Sequence, residues 1–350
     1  MKQTQTPSTL TEVALKLGVS TATVSNAFNR PDQLSRELRE HILNACENWG
    51  YAGPQANARK RRVEKTGVVG VMLSNSLSYS FSDPLASRML EGLAEVFESA
   101  GYNLLIIPSR ESLKALDKIR GLVDGFIVYG PPATDRLALL KEHRRSVIAI
   151  DFYSPGITSV NIDNRYSAER IARVALGHPD RHCAVLGLRI SPEKQVVKLS
   201  DTSLYPVEEH IMVQRLSGFR NAASRAQCAI PDSQIWHIPE NAKHLAEQAC
   251  EDALMQSRPP NVLFCMSDVI AIAACEVATK RGMTVGKDIF ITGFDGIEAA
   301  ANCDVPISTV AQPHREKGRV AAELFLGHIN QENQCLATEL IIRASCPQAL

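Results

Sequence analysis

Small hydroxyl and amide side chains are concentrated in residues 20–29, which read STATVSNAFN. This segment carries little apolar bulk and no acidic residue. Its Ser, Thr and Asn side chains can approach phosphates and base edges closely, whereas carboxylates would be repelled by the phosphates of a nucleic acid. The composition favours a helix that enters the major groove of DNA, and an ordinary surface helix in a small bundle is the alternative.

A second group of candidate residues comes directly after apolar runs that are typical of buried strands. Asp151 ends SVIAID, Asp268 ends VLFCMSD and Asp295 ends IFITGFD. In open α/β sheets the carboxyl ends of parallel strands face the crevice that binds ligands. A carboxylate accepts hydrogen bonds from two hydroxyl groups, so these ends suit a polyhydroxylated ligand. Capping of the following helix is the structural alternative for Asp268.

The sequence lacks the signatures of the common α/β enzymes and of metal sites. It contains no Walker loop, no Gly-x-Gly-x-x-Gly after a strand and no Gly-x-Ser-x-Gly. Its nine cysteines are scattered through apolar runs without a Cys-x-x-Cys pair, which predicts buried thiols in a reducing compartment. His143, His178 and His182 have no partners at metal-ligand spacing, so we expect them on the surface. We therefore expect no cofactor, no metal and no catalysis, with an α/β enzyme as the alternative.

The polar segment must be positioned by a small helical domain. Residues 9–50 predict three short helices, with Ser20 and Ser35 as N-caps of the second and third. Gly18 permits a tight turn before the second helix, and Pro31 ends that helix. Helix, glycine-containing turn and helix together are the helix-turn-helix arrangement.

From Gly67 to about residue 295, apolar strands alternate with amphipathic helices. This rhythm predicts parallel sheets covered by helices on both faces, in two α/β units with a cleft between them. Residues 189–210 fit no element and are expected to form a long loop. Asp163 is expected to cap a helix, and Trp236 is expected to lie in the core.

Length and charge are consistent with this division. The chain has 350 residues and equal numbers of basic and acidic residues, 38 of each, yet residues 1–65 hold ten Lys and Arg against six Asp and Glu. A basic head on an acidic body indicates a polyanionic partner for the head alone. The N-terminus shows no apolar signal-peptide core, and no apolar run reaches the ~18 residues of a membrane span, so we expect a cytoplasmic protein.

Several motifs resemble the LacI-type (lac repressor) family of bacterial transcription regulators. They are TLTEVALKLGVSTATVSNAFNRP, LSRELREHILNACENWGY and ANAR, and the resemblance continues to about residue 325. It implies an all-α helix-turn-helix headpiece at 8–53, a basic hinge at 54–65 and an effector-binding and dimerisation body at 66–342. The body would resemble periplasmic sugar-binding proteins, with two doubly wound parallel sheets in lobes at about 66–160 and 161–295 and a crossover near 290–325.

The resemblance implies a repressor that binds a pseudo-palindromic operator as a homodimer and responds to a small, sugar-like effector. A vestigial or protein-binding cleft is the alternative. Thr21, Ala22 and Asn26 would read bases. The full set of implied DNA-binding residues is Ser20, Thr21, Ala22, Thr23, Ser25, Asn26, Asn29, Arg59 and Arg61. The implied effector-binding residues are Tyr79, Phe81, Asp151, Arg215, Ser267, Asp268, Asp295 and Gln312. Among the latter, Ser267 replaces an Asn that is common in the family.

The hinge departs from the family pattern Ala-Arg-x-Leu, in which the leucine enters the minor groove. Here the residues are Ala58, Arg59, Lys60 and Arg61, so that Arg61 takes the place of the leucine. A guanidinium does not stabilise unstacked bases by apolar contact, but it suits a narrow, A·T-rich minor groove.

We expect the substitution Arg61→Leu to change both the salt dependence of operator binding and the bending of the operator. Loss of one cation from the interface should lower the slope of log K against log salt by about 0.9. Filter binding across a salt series and a gel assay of DNA bending measure the two effects. If neither quantity changes, Arg61 is only a solvated part of the linker.

Overall fold

The computed structural model describes residues 10–30, 33–49, 51, 65–108, 111–142, 146–178, 180–200, 210–330 and 332–348. Within the chain, residues 1–66 and residues 67–350 form two compact units. Among the described residues, no helix combines the length and apolarity that crossing a membrane requires.

The first unit contains the three helices that the sequence predicts. They are α1 (Leu10–Leu17), α2 (Thr21–Asn29) and α3 (Arg36–Asn48). Ser20 caps α2 by accepting a hydrogen bond from the Thr23 amide, and Ser35 caps α3 in the same way from the Leu38 amide, which confirms both predicted caps. Gly18 has a φ of +68°, the left-handed conformation that the tight turn requires.

The core of this unit is small because the helices meet through short side chains. Its buried residues are Val13, Ala14, Val24, Ala27, Ile42, Cys46 and Tyr51. The guanidinium of Arg39 donates a hydrogen bond to the carbonyl oxygen of Ala27 over 3.1 Å, and thereby joins α3 to the end of α2.

The second unit alternates strands and helices along most of its length. In chain order its helices are α4 (Leu77–Ser82), α5 (Pro84–Ser99), α6 (Leu113–Ile119), α7 (Thr134–Lys141), α8 (Asn164–Leu176), α9 (Ile211–Arg225), α10 (Lys243–Leu254), α11 (Asp268–Lys280), α12 (Glu298–Asn302) and α13 (His314–Leu326). Its strands are β1 (Val68–Leu73), β2 (Asn103–Pro108), β3 (Gly125–Tyr129), β4 (Ser146–Ile150), β5 (Thr158–Ile162), β6 (Cys183–Leu188), β7 (Val197–Lys198), β8 (Ile235–Ile238), β9 (Val262–Cys265), β10 (Phe290–Thr292), β11 (Thr309–Ala311), β12 (Gln334–Leu336) and β13 (Glu339–Ile341).

These strands form two main sheets, which confirms the predicted doubly wound α/β fold. The first has the order β12-β5-β4-β3-β1-β2 with parallel pairing throughout, and Val71 of β1 pairs with Ile106 of β2 and Ile127 of β3. The second has the order β10-β9-β6-β8-β7, and β11 with β13 forms a separate antiparallel ribbon. The C-terminal strand β12 thus returns to the edge of the first sheet.

The predicted loop at 189–210 needs a correction. It contains β7, which pairs antiparallel with β8 at the edge of the second sheet, where Val197 lies opposite His237. A two-residue edge strand leaves no periodic signal in a sequence, so pattern alone could not identify it. Residues 201–209 of this segment lie outside the described residues.

We call the part of this unit built on the first sheet the first lobe and the part built on the second sheet the second lobe. Two further predictions are confirmed. Trp236 is fully buried, and its indole nitrogen donates to the Asp252 carboxylate over 2.7 Å. Asp163 caps α8 by accepting a hydrogen bond from the Tyr166 amide. The thiols are mostly buried as expected, although Cys335 is exposed.

Helix α13 packs against α5 at a crossing between two glycines. A Cβ atom at Gly92 would collide with the carbonyl oxygen of Arg315, and one at Gly318 would collide with the carbonyl oxygen of Met89. The two backbones are therefore in direct contact, and α13 is held closely against the first lobe.

We expect the substitution Gly92→Ala to lower the free energy of unfolding by about 1–3 kcal/mol, because the added methyl group forces the two helices apart. The matched control is Gly121→Ala, where the added Cβ meets nothing nearer than the Lys118 carbonyl oxygen at 3.4 Å. Calorimetric melting of both variants measures the effect. An equal response in the two would show that the helix crossing does not limit stability.

Candidate functional sites

Helix α2 has one face in the core of the first unit and another that faces solvent. Val24 and Ala27 are fully buried, whereas Thr21 and Ala22 are exposed at the start of the helix and Asn26 is half-buried one turn later. The structure thus brings the three residues expected to read bases to the outward side of the helix. With no acid in the first turn, the partial positive charge at the start of the helix is available to an anion.

Four of the other residues expected to contact DNA lie in or next to α2. Ser20 and Thr23 lie together at the start of the helix, their hydroxyl oxygens 2.8 Å apart. Ser25 is half-buried, and Asn29 is the last residue of the helix. Arg59 and Arg61 lie outside the described residues.

The side chain of Asn26 has a neighbour that the sequence analysis did not identify. Its amide nitrogen donates a hydrogen bond to the side-chain oxygen of Gln33 over 3.1 Å. Gln33 follows the end of α2, so helical periodicity gives no sign that the two residues meet. This contact uses one of the two N–H donors of the Asn26 amide and leaves its oxygen and its second N–H for a base.

In the second unit a cavity of about 330 Å³ lies at the carboxyl ends of the strands. Five of the predicted effector residues line it, namely Tyr79, Asp151, Arg215, Asp295 and Gln312. Other polar lining residues were not predicted, namely Ser74, Asn75, Asp83, Tyr129, Arg189, His210, Asn241 and His314. Ser74 and Tyr129 lie at strand ends and could have been found by the rule that identified Asp151. Asn241 and His210 lie in connecting segments, where no sequence pattern indicates that a residue lines the cavity.

Arg215 is buried on α9 and is held by four groups. Its Nε donates to the Asn164 side-chain oxygen over 3.0 Å, and its Nη1 donates to the Met266 carbonyl oxygen over 2.7 Å. Nη1 also lies 3.6 Å from Oδ1 of Asp295, and the guanidinium stacks 3.8 Å from the centre of the Phe294 ring. The charge is therefore paired, and the orientation of the guanidinium is determined before any ligand arrives.

Asp295 is the most perturbed acid of the cavity. Its Oδ1 accepts a hydrogen bond from Nε2 of Gln312 over 2.8 Å, while Oδ2 has no partner among the described residues. Burial raises the pKa of Asp295 to about 8, against the effect of the Arg215 guanidinium. Near neutral pH this carboxyl group can therefore present either an acceptor or an O–H donor to a ligand.

Asp151 follows β4 with a φ of +60° and reaches a cation that the sequence analysis missed. Its Oδ1 accepts a hydrogen bond from Nζ of Lys317 over 2.5 Å, and the same Nζ donates to Oε1 of Gln312 over 2.7 Å. Oδ2 of Asp151 has no partner among the described residues, so it is a second acceptor available in the cavity. Lys317 lies in HREKGR, a run that resembles an ordinary charged helix surface.

Three predicted effector residues lie elsewhere. Phe81 is 60% exposed on α4 and does not line the cavity. Ser267 is the cap of α11, where its hydroxyl donates to the Asn241 side-chain oxygen over 2.6 Å and accepts from the Ile270 amide. Contrary to expectation, the structure does not place Phe81 and Ser267 in the lining of the cavity.

Asp268 is also corrected, because its side chain turns away from the cavity. It is fully buried, with Oδ2 accepting from the Gly296 and Ile297 amides over 2.7 and 2.9 Å and Oδ1 accepting from the Thr309 hydroxyl over 2.5 Å. Burial raises its pKa to about 6 in spite of these donors. The role of Asp268 is thus to hold the loop that begins at Asp295. It neither lines the cavity nor caps a helix.

Among the described residues, no group of three His, Cys, Asp or Glu side chains is placed to hold a metal ion. The polar lining groups of the cavity are donors and acceptors whose charges are already paired in part. What the arrangement can do is bind a small polar molecule through hydrogen bonds.

Comparison with known proteins agrees with both units. Residues 9–53 match the family of bacterial regulatory proteins, lacI family, and residues 204–346 match the periplasmic binding protein-like domain. An HTH-type transcriptional regulator of Mycolicibacterium smegmatis is 34% identical over 333 residues, covering 91% of this chain and 89% of that protein.

Solved structures show the same fold. A LacI-family transcriptional regulator from Corynebacterium glutamicum is 25% identical with a TM-score of 0.69, covering 99% of this chain and all of that one. The lac repressor dimer bound to operator and the anti-inducer ONPF is 20% identical with a TM-score of 0.64, covering 97% of this chain and 99% of that one. The chain belongs to the LacI family of DNA-binding, helix-turn-helix transcriptional regulators.

Proposed function

We propose that this protein is a repressor that binds a pseudo-palindromic operator as a homodimer and is controlled by a small, uncharged, sugar-like effector in the cavity of the second unit. The observation that carries the effector is the pair of carboxyl oxygens, Oδ2 of Asp151 and Oδ2 of Asp295, that have no partner among the described residues. Each can accept a hydrogen bond from a ligand hydroxyl.

The buried charges in and beside the cavity support an uncharged ligand. Arg215 lies against Asp295, and Lys317 is paired with Asp151, so neither buried cation needs an anion from a ligand. The exposed Arg189 of the lining interacts electrostatically with Asp83, another lining residue. Tyr79 and Tyr129 add aromatic surface to the lining. Paired hydroxyl acceptors, amide groups and aromatic rings in a cavity of this size together favour a monosaccharide, a cyclitol or a nucleoside.

The outward face of α2 supports the role in DNA binding. Thr21, Ala22 and Asn26 would contact base edges, with the Asn26 amide suited to the N6/N7 edge of adenine. Ser20, Thr23, Ser25, Asn29 and, in the hinge, Arg59 and Arg61 would contact the backbone or the minor groove. The lac repressor, which shares this fold, binds its operator as a dimer. Two copies related by a twofold axis would read two half-sites.

Effector control would act as a shift between two populations of the dimer with different affinities for the operator. A coupling of about 1–3 kcal/mol, typical of such systems, changes operator affinity by about 5–150-fold. The residues that meet the effector would differ in their contacts between the two populations, as any such shift requires.

Thermal melting with D-ribose, D-glucose, cellobiose, myo-inositol and adenosine tests the effector proposal. We expect a saturable rise in melting temperature with one of these compounds or a close relative, because a ligand that binds only the folded state stabilises it. Asp295→Leu should abolish the rise, whereas Asp304→Asn, at an exposed acid of the same lobe, should keep it. If no uncharged polyol changes the melting temperature, the cavity is vestigial or binds a protein.

We expect the substitution Asn26→Ala to lower discrimination at one or two base pairs by about 1–3 kcal/mol, because an amide that reads a base edge is lost. Binding to non-specific DNA should be nearly unchanged, since that binding depends on phosphate contacts. Selection of binding sites from random DNA, followed by titration of single-base variants, measures the change. Asn48→Ala, at an exposed position of α3, is the matched control. An equal loss on every sequence would show that Asn26 does not read bases.

A further inference from the structure

Lys317 is the most deeply buried cation that the second unit offers close to the effector cavity. Its exposed fraction is 0%, although it lies in the first turns of α13 within a strongly charged run. An ammonium group removed from water is costly unless acceptors surround it. Its two acceptors are Oδ1 of Asp151 and Oε1 of Gln312, at 2.5 and 2.7 Å.

The first contact determines the position of Asp151. This residue has a φ of +60°, a left-handed conformation that is unfavourable for a side chain with a Cβ atom. Its amide donates to the Val160 carbonyl oxygen over 3.1 Å, and its carboxylate is drawn to Lys317. The backbone bond and the ion pair together hold Asp151 so that Oδ2 is left for the cavity.

The second contact, between Lys317 and Gln312, determines the orientation of the Gln312 side-chain amide. The two ends of this amide have similar shape but opposite hydrogen-bonding character. Because Lys317 can only donate, it selects the oxygen and leaves Nε2 to donate to Oδ1 of Asp295 over 2.8 Å. Lys317 therefore donates a hydrogen bond to Gln312, and Gln312 in turn donates one to Asp295.

This chain of contacts joins the two lobes. Asp151 follows a strand of the first sheet, and α13 packs against α5 of the first lobe at the Gly92 and Gly318 crossing. Asp295 follows β10 of the second sheet and meets Arg215 of α9. Lys317 thus stands where the hydrogen bonds from both lobes meet.

We propose that Lys317 is the positioning residue of the effector cavity, whose buried ammonium sets the directions of Asp151 and Gln312 and thereby aims the free acceptors of both lobes at one ligand. The proposal rests on the proposed effector function of the cavity. The sequence motif gave no reason to assign Lys317 a part in that cavity.

The first test needs no ligand and uses crystal structures of the full chain with Lys317→Met, in which a side chain of similar length lacks the charge. We expect Asp151 to leave its left-handed conformation and the Gln312 amide to lose its contact with Asp295. If the single variant fails to fold, the double variant Lys317→Met/Asp151→Asn replaces it, because it leaves neither member of the ion pair as an unpaired buried charge. This double variant tests the orientation of the Gln312 side-chain amide. The proposal is overturned if Gln312 keeps its wild-type position in either variant. It is also overturned if Asp151 keeps its wild-type position in the single variant Lys317→Met.

The second test measures melting shifts with the compound that stabilises the wild type among D-ribose, D-glucose, cellobiose, myo-inositol and adenosine. Lys317→Met and Asp151→Asn should each weaken binding about tenfold or more, and the double variant should bind no more weakly than Lys317→Met alone, because Lys317 acts on the ligand only through Asp151 and Gln312. Arg319→Met, which removes a cation of α13 paired with Glu316 and Glu323, should leave binding unchanged.

The outcomes of the two tests are distinguishable. Independent, additive losses from Lys317→Met and Asp151→Asn would contradict a positioning role, and so would a lower melting temperature without weaker binding. If no compound stabilises the wild type, the effector function fails, while the crystal structures still decide whether Lys317 sets the directions of Asp151 and Gln312.

Discussion

The constraint on which the cavity of the second unit depends is that buried charges need partners. The guanidinium of Arg215 lines the cavity and the ammonium of Lys317 contacts two of its lining residues, and both side chains are almost completely removed from water. Each cation would be strongly destabilising without a charged or polar partner, because the free energy lost when an ion leaves water exceeds the free energy gained from contacts with apolar neighbours. The fold meets this requirement by placing one strand-end carboxyl group beside each cation and, around Arg215, the oxygens of Asn164 and Met266 as well.

The carboxylates reach these positions through unusual backbone conformations. Asp151 and Asp295 have φ values of +60° and +120°, where side chains with a Cβ atom are rarely found. Conformations of this kind cost about 1–3 kcal/mol and persist only where neighbouring contacts determine them. Asp268 contributes to that determination, since its carboxylate binds the amides of Gly296 and Ile297 directly after Asp295. A residue first considered as a ligand contact thus stabilises the loop that carries one.

Much of this arrangement could be predicted from the sequence. Periodicity and caps located the helices of the first unit, and the alternation of strands and helices located the two sheets, because burial imposes both patterns locally. The rule of strand ends found Asp151 and Asp295. It failed at Asp268, because the rule places a residue at the edge of a sheet without telling which way its side chain turns. Lys317 was missed because a long polar side chain that folds inward has no distinguishing pattern.

The same limit explains why the two sites differ in how readily they were found. The outward face of α2 depends on residues of one helix and its cap, so Ser20, Thr21 and Asn26 can be placed by counting along the chain. The cavity depends on contacts across long separations, such as Asp151 with Lys317 and Arg215 with Asp295. Only the fold brings these pairs together. Hydrogen bonds run from Lys317 to Gln312 and from Gln312 to Oδ1 of Asp295, and the Arg215 guanidinium lies 3.6 Å from the same oxygen. The other oxygen of that carboxyl group, supported by those donors but bonded to none of them, is therefore the atom through which a ligand hydroxyl would engage the second lobe.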